Sequence, residues 1–536
     1  MADYFVATSS NGGSDSNDGS QITDAGGGVG PFETIQHAVN QCTGSTTHSI
    51  SIGTGTYADT NGVRFQTGQN GSTITVKPVA GNIVTINSDG TDTAFYLYTI
   101  VGGHIIVEDI IIDAVSGTNS CVRSLTSAGD TNLTITRCTL GNDSVAAIGI
   151  NLFSETSATR EIVVTDCIFN NVKQIIECSS AALLQMTGGT YTTATAANAL
   201  HGFNLSGVIE VIIIDDIIYN FNTVSTTHIP IRLQSSIDPN YLQISNLTCS
   251  STTGFITIAE TANADSIINF FNNDVTVNAP VTATHAFFIG GDGTAGTGFG
   301  YLRVENNSVE YTGAGTAHAY LIGQGVDGAT ISSNHSKNGN AQYVLKGDNL
   351  VFFNNTGYGP ITLLIKGSQR CDVHNNSFHS TDSGALNISE ENLPGPDVDP
   401  QDVNLSNNIF LYDGTGHLIK GDVGEIPDPL SFFFDSNCYF NTQTLTAFAN
   451  VSAPASDPAN FTEWQDLWAT WGSSPFSANN EDNSLFHNPS FKNSANGDFT
   501  VQNAAIPSTF GAVSTSGSAS GTAYSSIDGG GYKHLS

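Results

Sequence analysis

The chain has 536 residues, with 15 Lys+Arg against 48 Asp+Glu, a formal charge of −33, and only 12% charged residues, where a soluble domain usually carries about 25%. So few bases exclude sequence-independent nucleic-acid binding, which needs clustered Lys and Arg, and they disfavour anionic membranes. With 39% hydrophobic residues, 29 Phe and 16 Tyr the chain can bury a large core, and 56 Gly among many Ser, Thr and Asn point to an all-β protein rich in turns.

Residues 1–49 read as an N-terminal cap. The opening MADYFVATSS has no basic region followed by an apolar run, so it contains no recognisable secretion leader. After Gly30-Pro31, the residues Phe32, Ile35, Ala38, Val39 and Cys42 share one helical face, which suits a helix covering an open first coil. The most apolar later stretch, residues 208–218, is broken by Glu210, Asp215 and Asp216 and is too short to span a bilayer, so membrane insertion is not expected.

Residues 50–441 carry an internal repeat. A six-residue unit (apolar, any, polar, Asn or small, any, apolar) recurs from VEDIII at 107–112 to FDSNCY at 434–439. Its fourth position starts at Ile110, passes Cys138 and Cys167, and then holds Asn273, Asn307, Asn334, Asn355, Asn376, Asn408 and Asn437. Thirteen members span 327 residues with steps of 21 to 34. Seven successive Asn at one position predict a ladder, because parallel strands about 4.8 Å apart let side-chain amides bond from rung to rung. Asn also tolerates the left-handed backbone of a sharp turn, so the ladder residues are expected to make that turn as well.

A second strand follows each ladder position by about a dozen residues, as in FITI (255–258), YLIG (320–323) and LLIK (363–366). The expected fold is an all-β, right-handed parallel β-helix of about 13 or more coils. The leucine consensus of a leucine-rich repeat is absent, and a propeller blade needs about 40 residues or more. The eight cysteines form no CxxC pair and no metal-ligand spacing. Stacked coils point equivalent side chains alike, so free buried thiols are expected.

Four successive coils place Lys346-Gly347-Asp348, Lys366-Gly367-Ser368, Ser389-Glu390-Glu391 and Lys420-Gly421-Asp422 at 11 to 13 residues past the ladder Asn. This predicts a longitudinal row in which Lys346, Lys366, Lys420, Glu390 and Glu391 are catalytic candidates. Asp348, Glu391 and Asp422 are candidate ligands for Ca2+. Uronate elimination needs a base and a cation to stabilise the enolate, and glycoside hydrolysis needs two carboxyls about 5 to 9.5 Å apart. The plainer reading is a series of exposed Lys-Gly turns. A second candidate is the row just before the ladder: Phe271, Glu305, Ser332, Phe353 and His374. By alternation it faces outward, and Phe271, Phe353 and His374 are carbohydrate-binding candidates. The competing reading covers these residues with the protein's own loops. His379 reads as a surface histidine.

Residues 442–510 read as a C-terminal cap in which Trp464, Trp468 and Trp471 mark an amphipathic helix closing the last coil, in preference to a sugar-stacking platform. Residues 511–536 read as a Ser/Gly-rich tail.

The chain resembles right-handed parallel β-helix proteins of the pectate-lyase superfamily, which includes polysaccharide lyases, hydrolases and phage tailspikes. The matching segments are YFVATSSNGGSDSNDGS, GPFETIQHAV and ISIGTGTY near the start, and FTEWQDLWATWG, NSLFHNPSFKNSANGDFTVQ and SIDGGGY near the end. The GHG and RIK signatures of the galacturonan hydrolases are missing. Asp215-Asp216 is similar to their paired aspartates, but strand neighbours are expected to point to opposite faces.

The resemblance implies a virion-associated, tail-spike or tail-fibre type protein that recognises a host-surface glycan and carries depolymerase activity. The alternatives are a secreted polysaccharide lyase or glycoside hydrolase, and an adhesive surface protein without catalysis. The expected partners are a cell-surface or extracellular polysaccharide, other virion proteins and two further copies in a homotrimer, with no nucleic acid. The expected location is the virion, or otherwise outside the cell.

Overall fold

In the computed structural model, the described residues are 2–512 apart from 60, 89–92, 99, 115–119, 125–129, 142–147, 153–158, 194–200, 221–228, 235–236, 238, 252–253, 259–265, 279–284, 291–300, 313–316, 325, 390–399, 422–431, 451–456, 472–480 and 482. The chain winds into a parallel β-helix with three sheets, here called A, B and C. One coil shows the plan: Ile267–Phe271 in sheet A, Asp274–Val277 in sheet B and Phe287–Ile289 in sheet C. Each pairs in parallel with its counterpart one coil on, namely Tyr301–Glu305, Ser308–Tyr311 and Tyr320–Ile322. Alternate residues of each strand point inward, so Ile268 and Phe270 are fully buried while Ile267 and Phe271 face out. Among the described residues no helix is long and apolar enough to cross a membrane.

A tight turn joins sheets A and B, and it divides between two residues the work expected of one. The third position of the repeat takes the left-handed backbone, with φ of 54° at Asn272, 55° at Asn306, 57° at Asn354 and 56° at Asn375. The ladder Asn follow it, are buried, and have no positive φ. Asp216 is a left-handed turn residue too, with φ 54°, so Asp215 and Asp216 both lie at the surface and not on opposite faces of a strand.

The ladder runs unbroken. Each Nδ2 donates to Oδ1 of the next Asn, from Asn273 to Asn307 at 2.8 Å through to Asn408 and Asn437 at 3.1 Å. Each backbone N–H along it donates to the same oxygen, and Ser484 Oγ accepts the last, from Asn437 at 2.8 Å. Beside the ladder an aromatic column fills the interior, with Phe287, Tyr320 and Tyr343 stacked at 4.9 and 5.0 Å. The Tyr343 hydroxyl donates to the Asn334 carbonyl at 2.9 Å, so the buried phenol is satisfied by the turn. The eight cysteines are free and buried.

At the start, Ala2–Val6 already pairs with Thr47–Ile52, so the first rung precedes the capping helix. That helix, α1 (Ile35–Gln41), is N-capped by Thr34 Oγ1 on the His37 N–H and buries Ile35, Ala38 and Val39. At the other end, α2 (Phe461–Trp471) drives Trp464 fully into the core against Phe434 and Phe448. Trp464 therefore offers no platform to a sugar, and the side chains of Trp468 and Trp471 lie outside the described residues.

The chain then doubles back. Leu485–Phe486 extends sheet B by pairing with Cys438–Asn441. A short hairpin of Phe491–Asn493 and Asp498–Val501 follows, with Phe499 against His335. Ile506 and Phe510 then pack on Ile409 and Cys438. This strap covers the outer face of sheet B over the last coils and leaves sheet A beside it.

Candidate functional site

The outer face of sheet A is laid out by register. Phe271 pairs with Glu305, Glu305 with Ser332, Ser332 with Phe353, Phe353 with His374, His374 with Ser406, and Ser406 with Asp435. A second file lies two residues earlier, where Asn269 pairs with Arg303, Arg303 with Thr330, Val351 with Asp372, and Asp372 with Asn404. The inward partners Val304, Ile331, Phe352 and Val373 are fully buried, which turns both files outward, although Asn269 and Ser332 are themselves covered by their neighbours.

Two clusters stand out on this face. The rings of Phe353 and His374 stack at 5.2 Å with planes 4° apart, forming one flat plate across two coils. Next to it Asp372 accepts a hydrogen bond from Asn404 Nδ2 at 3.0 Å. Burial pushes the Asp372 carboxyl above the usual carboxylate range, opposed by His374 and by the Asn404 bond. A carboxyl that keeps its proton more readily, beside an imidazole, can give or take a proton from a bound molecule. In the second cluster Arg303 forms a bidentate pair with Glu305, Nε to Oε1 at 3.1 Å and Nη2 to Oε2 at 2.7 Å, and lies over the Phe271 ring at 5.2 Å.

Toward the N-terminal coils the face becomes a chain of hydroxyls and amides. Tyr241 donates to Gln243 at 2.7 Å, Gln243 to Ser245 at 2.9 Å, and Ser245 to Asp215 at 2.7 Å. Tyr301 and Ile267 are exposed on the same face.

The lysine row is only partly assembled. Lys366 pairs with Ser389, and Leu345 with Ile365, so Lys346, Lys366 and Ser389 are aligned. Lys420 pairs with Asn387, two residues earlier, which displaces it from the row by roughly 6.6 Å along the strand. The ladder offsets agree only because the loops before sheet C differ in length. Burial drives His318 down to about 3, with the charges of His285, Lys346 and Lys366 adding to it. Lys366 ends the sheet C strand Ile361–Lys366, and Lys346 follows the strand Ala341–Leu345.

Asp348 opens a sheet A strand and uses Oδ1 to accept the Gln369 N–H at 2.9 Å, a link between coils. Burial raises its pKa, as does Asp327, while that bond and Arg370 lower it. Glu390, Glu391 and Asp422 lie outside the described residues. Among the described residues no three His, Cys, Asp or Glu side chains converge on a point that could hold a metal.

Sequence reasoning passed over Arg303, Asp372, Asn404 and the Tyr241–Asp215 chain. The alternation that picked out Glu305 and His374 reaches Arg303 and Asp372 when stepped back two residues. Their partners across coils depend on register, which alternation does not supply.

The sequence matches no family model and no curated protein. Among solved structures it is similar to a mannuronic-acid-specific family 6 polysaccharide lyase from human gut microbiota, at 10% identity over 83% of this chain and 87% of that one, with a TM-score of 0.30. It is also similar to a PL6 family polysaccharide lyase from Pseudopedobacter saltans, at 12% identity over 89% and 96%, with a TM-score of 0.30. A surface adhesin of Streptococcus pneumoniae aligns at 12% identity over 72% and 93%, with a TM-score of 0.31. The assignment of the fold rests on this chain's own strand pairing.

Proposed function

We propose that this protein recognises an extracellular polysaccharide along the outer face of sheet A. The observation that carries this reading is the Phe353–His374 plate. A sugar ring presents an apolar C–H face that stacks on an aromatic plane, and its hydroxyls need polar partners at the ring edge. Asp372, Asn404 and Ser406 lie beside the plate and meet that need. The regular spacing of coils, about 4.8 Å, suits an extended repeating polymer better than a small ligand in a closed pocket. Asp372 and His374 are the groups a depolymerase would use for proton transfer.

The setting we propose is a virion tail spike, with the rigid column projecting toward a host glycan. Electron microscopy with an antibody to this chain tests the setting, and sedimentation tests the trimer. The recognition itself is tested by affinity electrophoresis against a polysaccharide panel. Phe353→Ala should weaken binding about tenfold or more, as expected for a central aromatic anchor. Unchanged binding in both Phe353→Ala and His374→Ala would remove sheet A from consideration.

A further inference from the structure

The charges on sheet A limit which polysaccharide it can seat. The nine sheet A strand segments from residues 211–215 to Phe432–Asp435 carry seven carboxylates, Asp215, Glu305, Asp327, Asp348, Asp372, Asp402 and Asp435. Against them stand two guanidiniums, Arg303 and Arg370, and no lysine.

The seven carboxylates outnumber the two guanidiniums, and one of these, Arg303, is not placed to receive an anion. Arg303 is clamped by Glu305 through two hydrogen bonds and has its face on Phe271, so it is neutralised where it stands. Arg370 is exposed at the start of its strand, on a left-handed backbone with φ 56°, four residues before His374. The lysines of the last coils, Lys346 and Lys366, belong to sheet C, where Lys366 ends the strand Ile361–Lys366 and Lys346 follows Ala341–Leu345. An anionic polymer laid on this face would bring a carboxylate or sulfate to each sugar and meet a net excess of like charge.

We infer that the polymer recognised by sheet A is uncharged: a neutral glycan held by stacking on Phe353 and His374 and by hydroxyl hydrogen bonds to Asp372, Asn404 and the Tyr241–Gln243–Ser245–Asp215 chain. Carboxylates serve neutral sugars well, because an ionised oxygen accepts strongly from sugar hydroxyls. This inference rests on sheet A being the recognition face and adds the class of glycan.

The test uses the full chain in affinity electrophoresis with neutral polymers (dextran, galactomannan, xylan stripped of acid groups) and anionic ones (polygalacturonate, alginate). It is run at low salt, where the Debye length is about 30 Å, with and without calcium. The expected result is retardation by at least one neutral polymer, nearly insensitive to salt and reduced in Phe353→Ala, with none by the anionic set. A second variant, Glu305→Gln, frees Arg303 and should create retardation by polygalacturonate that the native chain lacks, through one charge-assisted hydrogen bond. Binding of an anionic polymer to the native chain that Phe353→Ala weakens would overturn the inference and leave sheet A as the recognition face. Binding that Phe353→Ala and His374→Ala leave untouched would overturn both.

Discussion

The side-chain amide of Asn334 donates to Oδ1 of Asn355 at 3.0 Å, and the backbone N–H of Asn334 donates to the same oxygen at 3.0 Å. One buried oxygen therefore closes two donors of the preceding coil, and the Asn355 amide in turn reaches the Ile331 carbonyl at 2.9 Å. Asn355→Ala leaves several buried groups without partners and should cost about 3 kcal/mol at ~1–3 kcal/mol for each unsatisfied group. Asn273→Ala should cost less, because the Asn273 oxygen receives only the Leu247 N–H, at 3.2 Å. Urea midpoints of the two variants check the order; equal losses would mean that the ladder is not the cooperative element.

Cys138 and Cys167 occupy ladder positions ahead of the Asn run and imitate it. Their thiols point at the Val107 and Ile135 carbonyls, both at 3.6 Å, as Asn307 points at Phe270. Burial pushes the Cys42, Cys167, Cys371 and Cys438 thiols up to about 12. A thiol without thiolate is a poor nucleophile. None of the eight should react with an aromatic disulfide reagent in the native protein, and all should react once it is unfolded.

Glu481 ties the last coil to α2. Its Oε1 accepts from Tyr439 at 2.8 Å and from Trp464 Nε1 at 2.9 Å, while Oε2 is buried without a partner. Burial raises its pKa from 4.5 to about 7, against the hydrogen bonds that favour the ion. The folded state thus holds this proton more tightly than the unfolded chain. Its stabilising effect is full below pH ~4.5 and is lost as pH rises through about 7. Glu481→Gln imitates the protonated acid. It should match the native chain at pH 4 and exceed it above pH 7 by about 3 kcal/mol, read from thermal midpoints across pH.

His379 clasps the returning strap. Its Nε2 lies 2.6 Å from Asp413 Oδ2 and its Nδ1 2.6 Å from Ser494 Oγ. His379→Ala should loosen the hairpin at Phe491–Asn493 and Asp498–Val501 without melting the coils, because the strap adds little to the main core. Faster proteolysis within residues 491–501, with an unchanged main transition, is the expected outcome.

Much of the fold was legible because a solenoid repeats its physics. The spacing of Asn273 through Asn437 stated the coil, and the face shared by Ile35, Ala38 and Val39 marked the buried side of α1. The site was legible only as a single file. Phe353 and His374 could be placed on the surface by alternation, but their coplanar stack required the pairing of two coils.

By itself, the sequence determined the period, the ladder and the inward set, since burial and amide pairing act alike on every coil. Tertiary structure alone decided which side chains on different coils meet. Loops of unequal length moved Lys420 two residues out of the row of Lys346 and Lys366. A strap from more than a hundred residues downstream brought Ser494 to His379. The pairing of Arg303 with Glu305 closed off a cation that composition counted as available. Period is a local property of each coil, whereas contact across coils depends on register and loop length, which no single repeat encodes.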